Sequence, residues 1–393
     1  MTRGRMPPRR RTAHAARRAP RGTAEITDIG EVRARIDAID DDLVELLNRR
    51  AALAEAAGAA KARVGKPAYV PERERQVMDR VTQVNPGPLG EEALRLIYRE
   101  ILSASRALES PLVVAYFGPE ASFTHEAAKR HFGLSAHLAP RRTIAEVFDD
   151  VERSRAAYGV VPIENSTEGM VNHTHDLFVN SELFIGAEVL LDVHQNLLSR
   201  TGELRGVTKV YSHPQGLAQC RGWLERNLPG VPLIDVSNTA RGAQLAAEDS
   251  SAAAVAGELA AQLYHLQTVA SHIEDMRGNM TRFLVIGHDQ PAPTGNDRSS
   301  IMFSLHDKPG ILYRALSPFA RAGINLSRIE SRPSRKRAFE YVFFIDLEGH
   351  QAEKRVARAI ETLRESCDFL KVLGSYPRGR VARAHKSRRD RKE

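Results

Sequence analysis

From Asp28 to Lys66 the chain contains no proline, and Ile36, Ile39, Leu43, Leu46 and Leu47 recur at helical spacing. That pattern predicts one helix of about 35 residues. A helix this long with an apolar seam needs a partner along the seam, so a helical dimer is expected. Pro71 suits the first turn of a second helix, and the run from Glu91 to Leu108 makes a third after the Asn85-Pro86-Gly87-Pro88 turn.

Two breaks divide the rest of the 393 residues: Glu109-Ser110-Pro111, and the Pro- and Gly-rich stretch after His288. With 42% hydrophobic residues the chain is long enough for two to four domains. Residues 111–288 alternate short apolar runs (LVVAYF, YGVVPI, KVY, LIDV, AAAV) with turns and helix-like stretches, the pattern of an α/β domain. Residues 289–298 read as a linker, and residues 299–377 as strand, helix, two strands, helix, strand.

The formal charge of +8 invites a nucleic-acid reading, but it sits at the two ends. Residues 1–22 carry +8 and residues 378–393 carry +6, so the stretch between carries −6. Segments 1–24 and 378–393 are expected to be disordered basic tails rather than a nucleic-acid site. Cys220 and Cys367 have neither disulfide-framework nor metal spacing, which fits a reducing compartment. No apolar stretch approaches the roughly 18 to 20 residues that span a bilayer, and the Arg-rich start lacks a secretory h-region. A cytoplasmic enzyme without a membrane partner is the expectation.

On the long helix Arg50 and Lys61 are eleven residues apart, so they point within about 20° of each other and lie about 16 Å apart along the axis. Both side chains could converge on one small anion, or they could be a solvated face. Arg33 is too far along the helix to share that ligand within one protomer, but it could do so from a dimer partner. With Arg73 and Glu74 on the next helix and Ser105 and Glu109 one turn apart on the third, the segment 25–109 resembles the all-helical chorismate mutases. The resemblance implies that Arg33 of a partner, Arg50, Lys61 and Arg73 bind the dianion chorismate. It also implies that Glu74 holds the ring hydroxyl, that Ser105 and Glu109 complete the pocket, and that Lys61 and Glu109 face the ether oxygen. A Claisen rearrangement needs positioning and field rather than a nucleophile or cofactor. Glu109 donates to an ether oxygen only when protonated, so mutase activity is expected to decline as pH rises.

In the α/β region polar clusters open helices at strand ends: Glu164-Asn165-Ser166-Thr167, Ser212-His213-Pro214-Gln215 and Ser237-Asn238-Thr239. Any one of them alone reads equally as ordinary helix capping, and His213, beside a proline at a helix start, reads as structural. Together VPIENSTEG, VYSHPQGLAQCRGWL, SNTARGAQLAA and NMTRFLVIG resemble prephenate dehydratase. That family has two α/β lobes with the site between them and needs no metal or redox cofactor. The resemblance implies that Thr281 donates to the leaving hydroxyl of prephenate. It further implies that Glu164, Asn165, Ser212 and Gln219 bind or orient substrate, with Arg282 and Phe283 in support.

The final βαββαβ order resembles the ferredoxin-like ACT domain. The DKPGIL turn supplies Asp307, Pro309, Gly310, Ile311 and Leu312, and the second strand carries Glu330, Ser331, Arg332 and Pro333, so phenylalanine binding is implied. The order of mutase, dehydratase and regulatory domain resembles the bifunctional P-protein family of phenylalanine biosynthesis. A homodimer or higher homo-oligomer, inhibited by phenylalanine, is expected.

Overall fold

The computed structural model describes residues 28–64, 69–306, 308–333 and 341–379 and divides into two compact units between Leu53 and Ala54. Segment 1–24, most of segment 378–393, and Asp307 lie outside the described residues. Helix α1 (Ile29–Arg63) carries the unbroken helical pattern and crosses the division. In the first unit its apolar stripe is open to solvent: Ile36, Ile39, Leu43, Leu46 and Leu47 are 43–57% exposed.

In the second unit the end of α1 meets α3 (Glu91–Glu109), with α2 (Pro71–Gln83) between them in sequence. Gly58 is buried there, and a Cβ on it would lie 2.8 Å from the Glu109 Cβ, so the approach of the two helices requires glycine. Pro71 opens α2, where its missing N–H costs nothing.

The first α/β lobe runs β1 (Val113–Phe117), α4 (Phe123–Phe132), β2 (His137–Arg141), α5 (Ile144–Glu152), β3 (Tyr158–Asn165), β4 (Gly169–Met170), α6 (Asn172–Phe178) and β5 (Phe184–Asp192). Ser122 and Thr143 cap α4 and α5 by accepting from the amides of His125 and Glu146. The second lobe follows with β6 (Asn196–Ser199), β7 (Lys209–Ser212), α7 (Pro214–Gln219), α8 (Arg221–Asn227), β8 (Leu233–Asp235), α9 (Thr239–Glu248), β9 (Ala252–Ala256), α10 (Glu258–Leu263) and β10 (Gln267–Ala270). Its sheet order is β10-β6-β9-β7-β8. Then β11 (Met280–Gly287) returns to the first lobe and inserts between β3 and β5, giving β2-β1-β3-β11-β5 with β4 beside β3. The outgoing and returning segments hydrogen-bond to each other, Val193 N to Asn279 O at 2.8 Å and Ile273 N to Gln195 O at 2.8 Å, making a two-stranded neck between the lobes.

The last module is β12 (Asp297–Ser304), α11 (Ile311–Arg321), β13 (Leu326–Pro333), β14 (Tyr341–Glu348), α12 (Lys354–Arg364) and β15 (Phe369–Pro377), with antiparallel sheet order β13-β14-β12-β15. Strand β12 begins at Asp297, two residues inside the stretch read as linker. One face of the sheet carries the helices over a core of Ile301, Phe303, Phe319, Ile345 and Leu363. The other face joins the first lobe's core: Met302, Phe344, Leu373 and Tyr376 pack with Phe178, Leu183, Ile185 and Leu284. At Gly374 of β15 a Cβ would collide with the Ile185 carbonyl of β5, so this contact also depends on glycine.

Candidate active site

Between the lobes lies a cleft of about 340 Å³ lined by Thr167, Glu168, Gln215, Gln219, Met276 and Asn279 among others. The Asn165 carboxamide organises its floor. Oδ1 accepts from the backbone amides of Thr167 (2.9 Å) and Glu168 (3.1 Å), and amides only donate, so the carboxamide's orientation is fixed. Nδ2 then donates to Asn279 Oδ1 (2.7 Å) and Thr281 Oγ1 (2.8 Å). Because Thr281 accepts from Asn165, its own proton is left for a ligand.

Gln219 reaches the same cleft from the second lobe. It donates to Glu168 Oε1 (3.3 Å) and accepts from Gln195 Nε2 (3.2 Å). Desolvation by the cleft walls raises the Glu168 carboxyl above its ordinary value, opposed by His213 and by the Gln219 hydrogen bond. Asn279, Glu168 and Gln195 were given no role from the sequence. The first two lie inside the NMTRF and ENSTEG strings themselves, and Gln195 stands in the neck.

Other predicted residues are placed elsewhere. Ser212 is fully buried and donates to Val255 O at 2.6 Å, holding the end of β7 against β9. His213 caps α7 by accepting from Gln215 N. Glu164 neighbours Asn165 on β3 and so points to the opposite side of the sheet, where Arg328 Nη1 of β13 lies 3.2 Å from its Oε2. Arg282 likewise points away from Thr281. It donates to Glu188 (2.7 Å), Asp346 (2.5 Å) and the Tyr376 hydroxyl (2.8 Å), and Phe283 is buried in the lobe core. Burial opposes the Arg282 charge, but Tyr376, Asp346 and Glu188 outweigh it and raise its pKa.

In the helical region Lys61 Nζ donates to Glu109 Oε2 at 2.7 Å, bringing together the two groups expected to face one oxygen. Ser105 is buried and donates to Ile101 O, and Glu74 lies 3.2 Å from Arg106 Nη1. Arg73 is exposed and donates to Gln76 at 3.4 Å. Arg33 and Arg50 stand on α1 in the first unit.

In the last module Gly310 takes a left-handed conformation (φ 76°) at the start of α11, between Pro309 and the first helical residues Ile311 and Leu312. Glu330, Ser331, Arg332 and Pro333 end β13, where Arg332 Nη1 contacts Asp176 (2.8 Å) and the Asn172 carbonyl (2.5 Å) on α6.

Among the described residues, His194, His272 and Glu274 bring potential metal-ligand atoms within 4.8 Å of one another at the neck. The two rings are parallel, 3.9 Å apart, and Glu274 accepts from His194 Nδ1 and Gln195 N. Lone pairs in two parallel ring planes do not converge on one ion, so this cluster is a clasp on the neck.

The family models for prephenate dehydratase, chorismate mutase type II and the ACT domain match residues 114–291, 32–110 and 299–365. A bifunctional chorismate mutase/prephenate dehydratase from Aquifex aeolicus is 50% identical over 89% of this chain and 98% of its own length. The crystal structure of a prephenate dehydratase in complex with L-Phe from Arthrobacter aurescens is 34% identical, with a TM-score of 0.64 over 68% of this chain and 90% of that one. A structure of GqqA, described as a novel type of quorum quenching acylase, is 29% identical, with a TM-score of 0.63 over 68% of this chain and 98% of that one.

Proposed function

The chain belongs to the family of bifunctional chorismate mutase/prephenate dehydratases, and from that premise we propose how its residues divide the work. It is an enzyme of two activities, rearranging chorismate to prephenate and converting prephenate to phenylpyruvate. Residues 25–109 carry the mutase, 111–288 the dehydratase and 297–377 the ACT module, joined through residues 289–296.

In the dehydratase, Thr281 hydrogen-bonds the departing ring hydroxyl. The C–O bond breaks with both its electrons going to the departing hydroxide, which takes one proton from solvent to become water; the bond to the ring carboxylate breaks to release carbon dioxide, and its electrons aromatise the ring. Asn165 sets the direction of the Thr281 hydroxyl, and Gln219 orients substrate from the other lobe. The observation that carries this reading is the saturated Asn165 carboxamide, which leaves Thr281 a free proton directly behind Asn279 of the cleft wall. Glu164, Ser212, Arg282 and Phe283 hold the strands that present these groups.

In the mutase, Arg50, Lys61 and Arg73, with Arg33 of a second copy, bind the two carboxylates of chorismate. Glu74 takes the ring hydroxyl, Ser105 completes the wall, and Lys61 and Glu109 serve the ether oxygen. The uncovered stripe of α1 supports a homodimer. Phenylalanine is the effector, bound through Pro309–Leu312 and Glu330–Pro333 of the ACT module, and the enzyme works in the cytoplasm.

Chorismate supplied alone tests the whole reading: it should disappear and phenylpyruvate should form, and phenylalanine should slow the second step. Turnover of prephenate but not chorismate would remove the mutase assignment, and turnover of neither would overturn the reading.

A further inference from the structure

Thr281 and Asn165 are paired across β11 and β3, and the next pair in the ladder is Arg282 and Glu164. Side chains alternate along a strand, so the first pair faces the cleft and the second faces the ACT sheet. The register shifts immediately beyond, between Arg282 and Phe283, where β3 carries one extra residue. A bulge beside a site re-aims side chains, and it leaves the register around it locally weak unless something pins it.

What pins it comes from the regulatory module. Arg328 of β13 holds Glu164 at 3.2 Å. Asp346 of β14 and Tyr376 of β15 hold Arg282 at 2.5 Å and 2.8 Å, and Ser300 of β12 ties those two together, 2.5 Å from Asp346 and 2.6 Å from Tyr376. Arg282, Asp346 and Tyr376 are each at most 8% exposed, so these bonds act with little solvent screening and fix directions as well as distances. Three strands of the ACT sheet therefore grip the two residues directly behind the Thr281–Asn165 hydrogen bond, and the fourth, β12, braces two of those grips.

We propose that Arg328, Asp346 and Tyr376 are positioning residues for the dehydratase reaction: acting through Glu164 and Arg282, they set the register that aims the Thr281 hydroxyl. The ACT sheet is then a structural part of the dehydratase site, and any ligand that shifts β13 moves Glu164 directly. This rests on the assignment of Thr281 and Asn165 to that site.

The test uses the full chain, with prephenate as substrate for the dehydratase and chorismate loss as the internal measure of folding. Arg328→Gln should lower dehydratase kcat by about tenfold or more with KM nearly unchanged, because misaiming by a fraction of an ångström costs rate rather than binding. Arg328→Lys should restore most of it. Tyr376→Phe deletes one hydroxyl and keeps the packing, and it should lower kcat severalfold while chorismate loss is retained. The double variant Glu164→Gln/Arg328→Gln should be no worse than the weaker single variant. Wild-type kcat in Tyr376→Phe, or fully additive effects in the double variant, would overturn the proposal. A wild-type chain that leaves prephenate untouched would instead overturn the functional reading on which it rests.

Discussion

Asn165→Asp is nearly isosteric, yet it should disable the dehydratase. The amides of Thr167 and Glu168 still find an oxygen acceptor where Oδ1 stands. The other half of the side chain changes from donor to acceptor, 2.8 Å from Thr281 Oγ1 and 2.7 Å from Asn279 Oδ1. Thr281 must then turn its proton toward the new carboxylate, and the departing hydroxyl loses its donor. Losing one such preorganised donor costs about 10² to 10³ in kcat, or about 2.7–4 kcal/mol of barrier. The assay is phenylpyruvate formation at saturating prephenate, with chorismate loss as control. Thr281→Val removes the same donor by another route, so the two changes together should cost little more than either alone. A kcat for Asn165→Asp within about threefold of wild type, where the lost donor predicts two orders of magnitude or more, would refute the donor argument.

Gly58→Ala puts a methyl group 2.8 Å from the Glu109 Cβ, so mutase activity should drop sharply while prephenate turnover persists; parallel assays on the two substrates check this. Leu43→Asp with Leu47→Asp places charge in the open stripe of α1, and sedimentation should show loss of the dimer together with loss of mutase activity. Burial lowers the His175 pKa from 6.5 to about 4, against a hydrogen bond to the Val171 backbone carbonyl that raises it. Between those values the unfolded chain takes up a proton that the folded one does not, so stability is full above about pH 6.5 and falls as pH drops toward 4. That loss is on the order of 3 kcal/mol. Urea midpoints at pH 7 and pH 5 should show about 2 kcal/mol of it in wild type and a smaller drop in His175→Asn.

The long helix was legible because the absence of proline and a helical apolar period act locally, and α1 ends within a few residues of the predicted span. The βαββαβ succession of the ACT module was equally plain from alternation and turns. The return of β11 into the first lobe's sheet was not, since no local signal in MTRFLVIG says which strands will flank it. The string ENSTEG contributes Thr167 and Glu168 to the cleft wall, but the string does not tell the direction of each side chain. Period two alone says that Glu164 and Asn165 face opposite ways, and likewise Thr281 and Arg282. Motif matching treats neighbours as one group, and the structure separates them by the thickness of the sheet. Ser212 is a similar case: its place in SHPQ marks the end of β7, and its hydroxyl is spent on Val255.

The insertion of β11 has a consequence for the order in which the protein is made. The ribosome delivers β3 and β5 long before their shared neighbour, and the whole second lobe emerges in between. Until Gly287 has left the exit tunnel, β3 and β5 lack the strand that lies between them in the finished sheet, so the edges that will pair with it have no ladder partner from β11. The second lobe, continuous in sequence from Asn196 to Ala270, can close its own sheet first and shorten the search by drawing the neck together. Thr281 rides on the strand that closes the gap, so the growing chain acquires its cleft only when that closure is made.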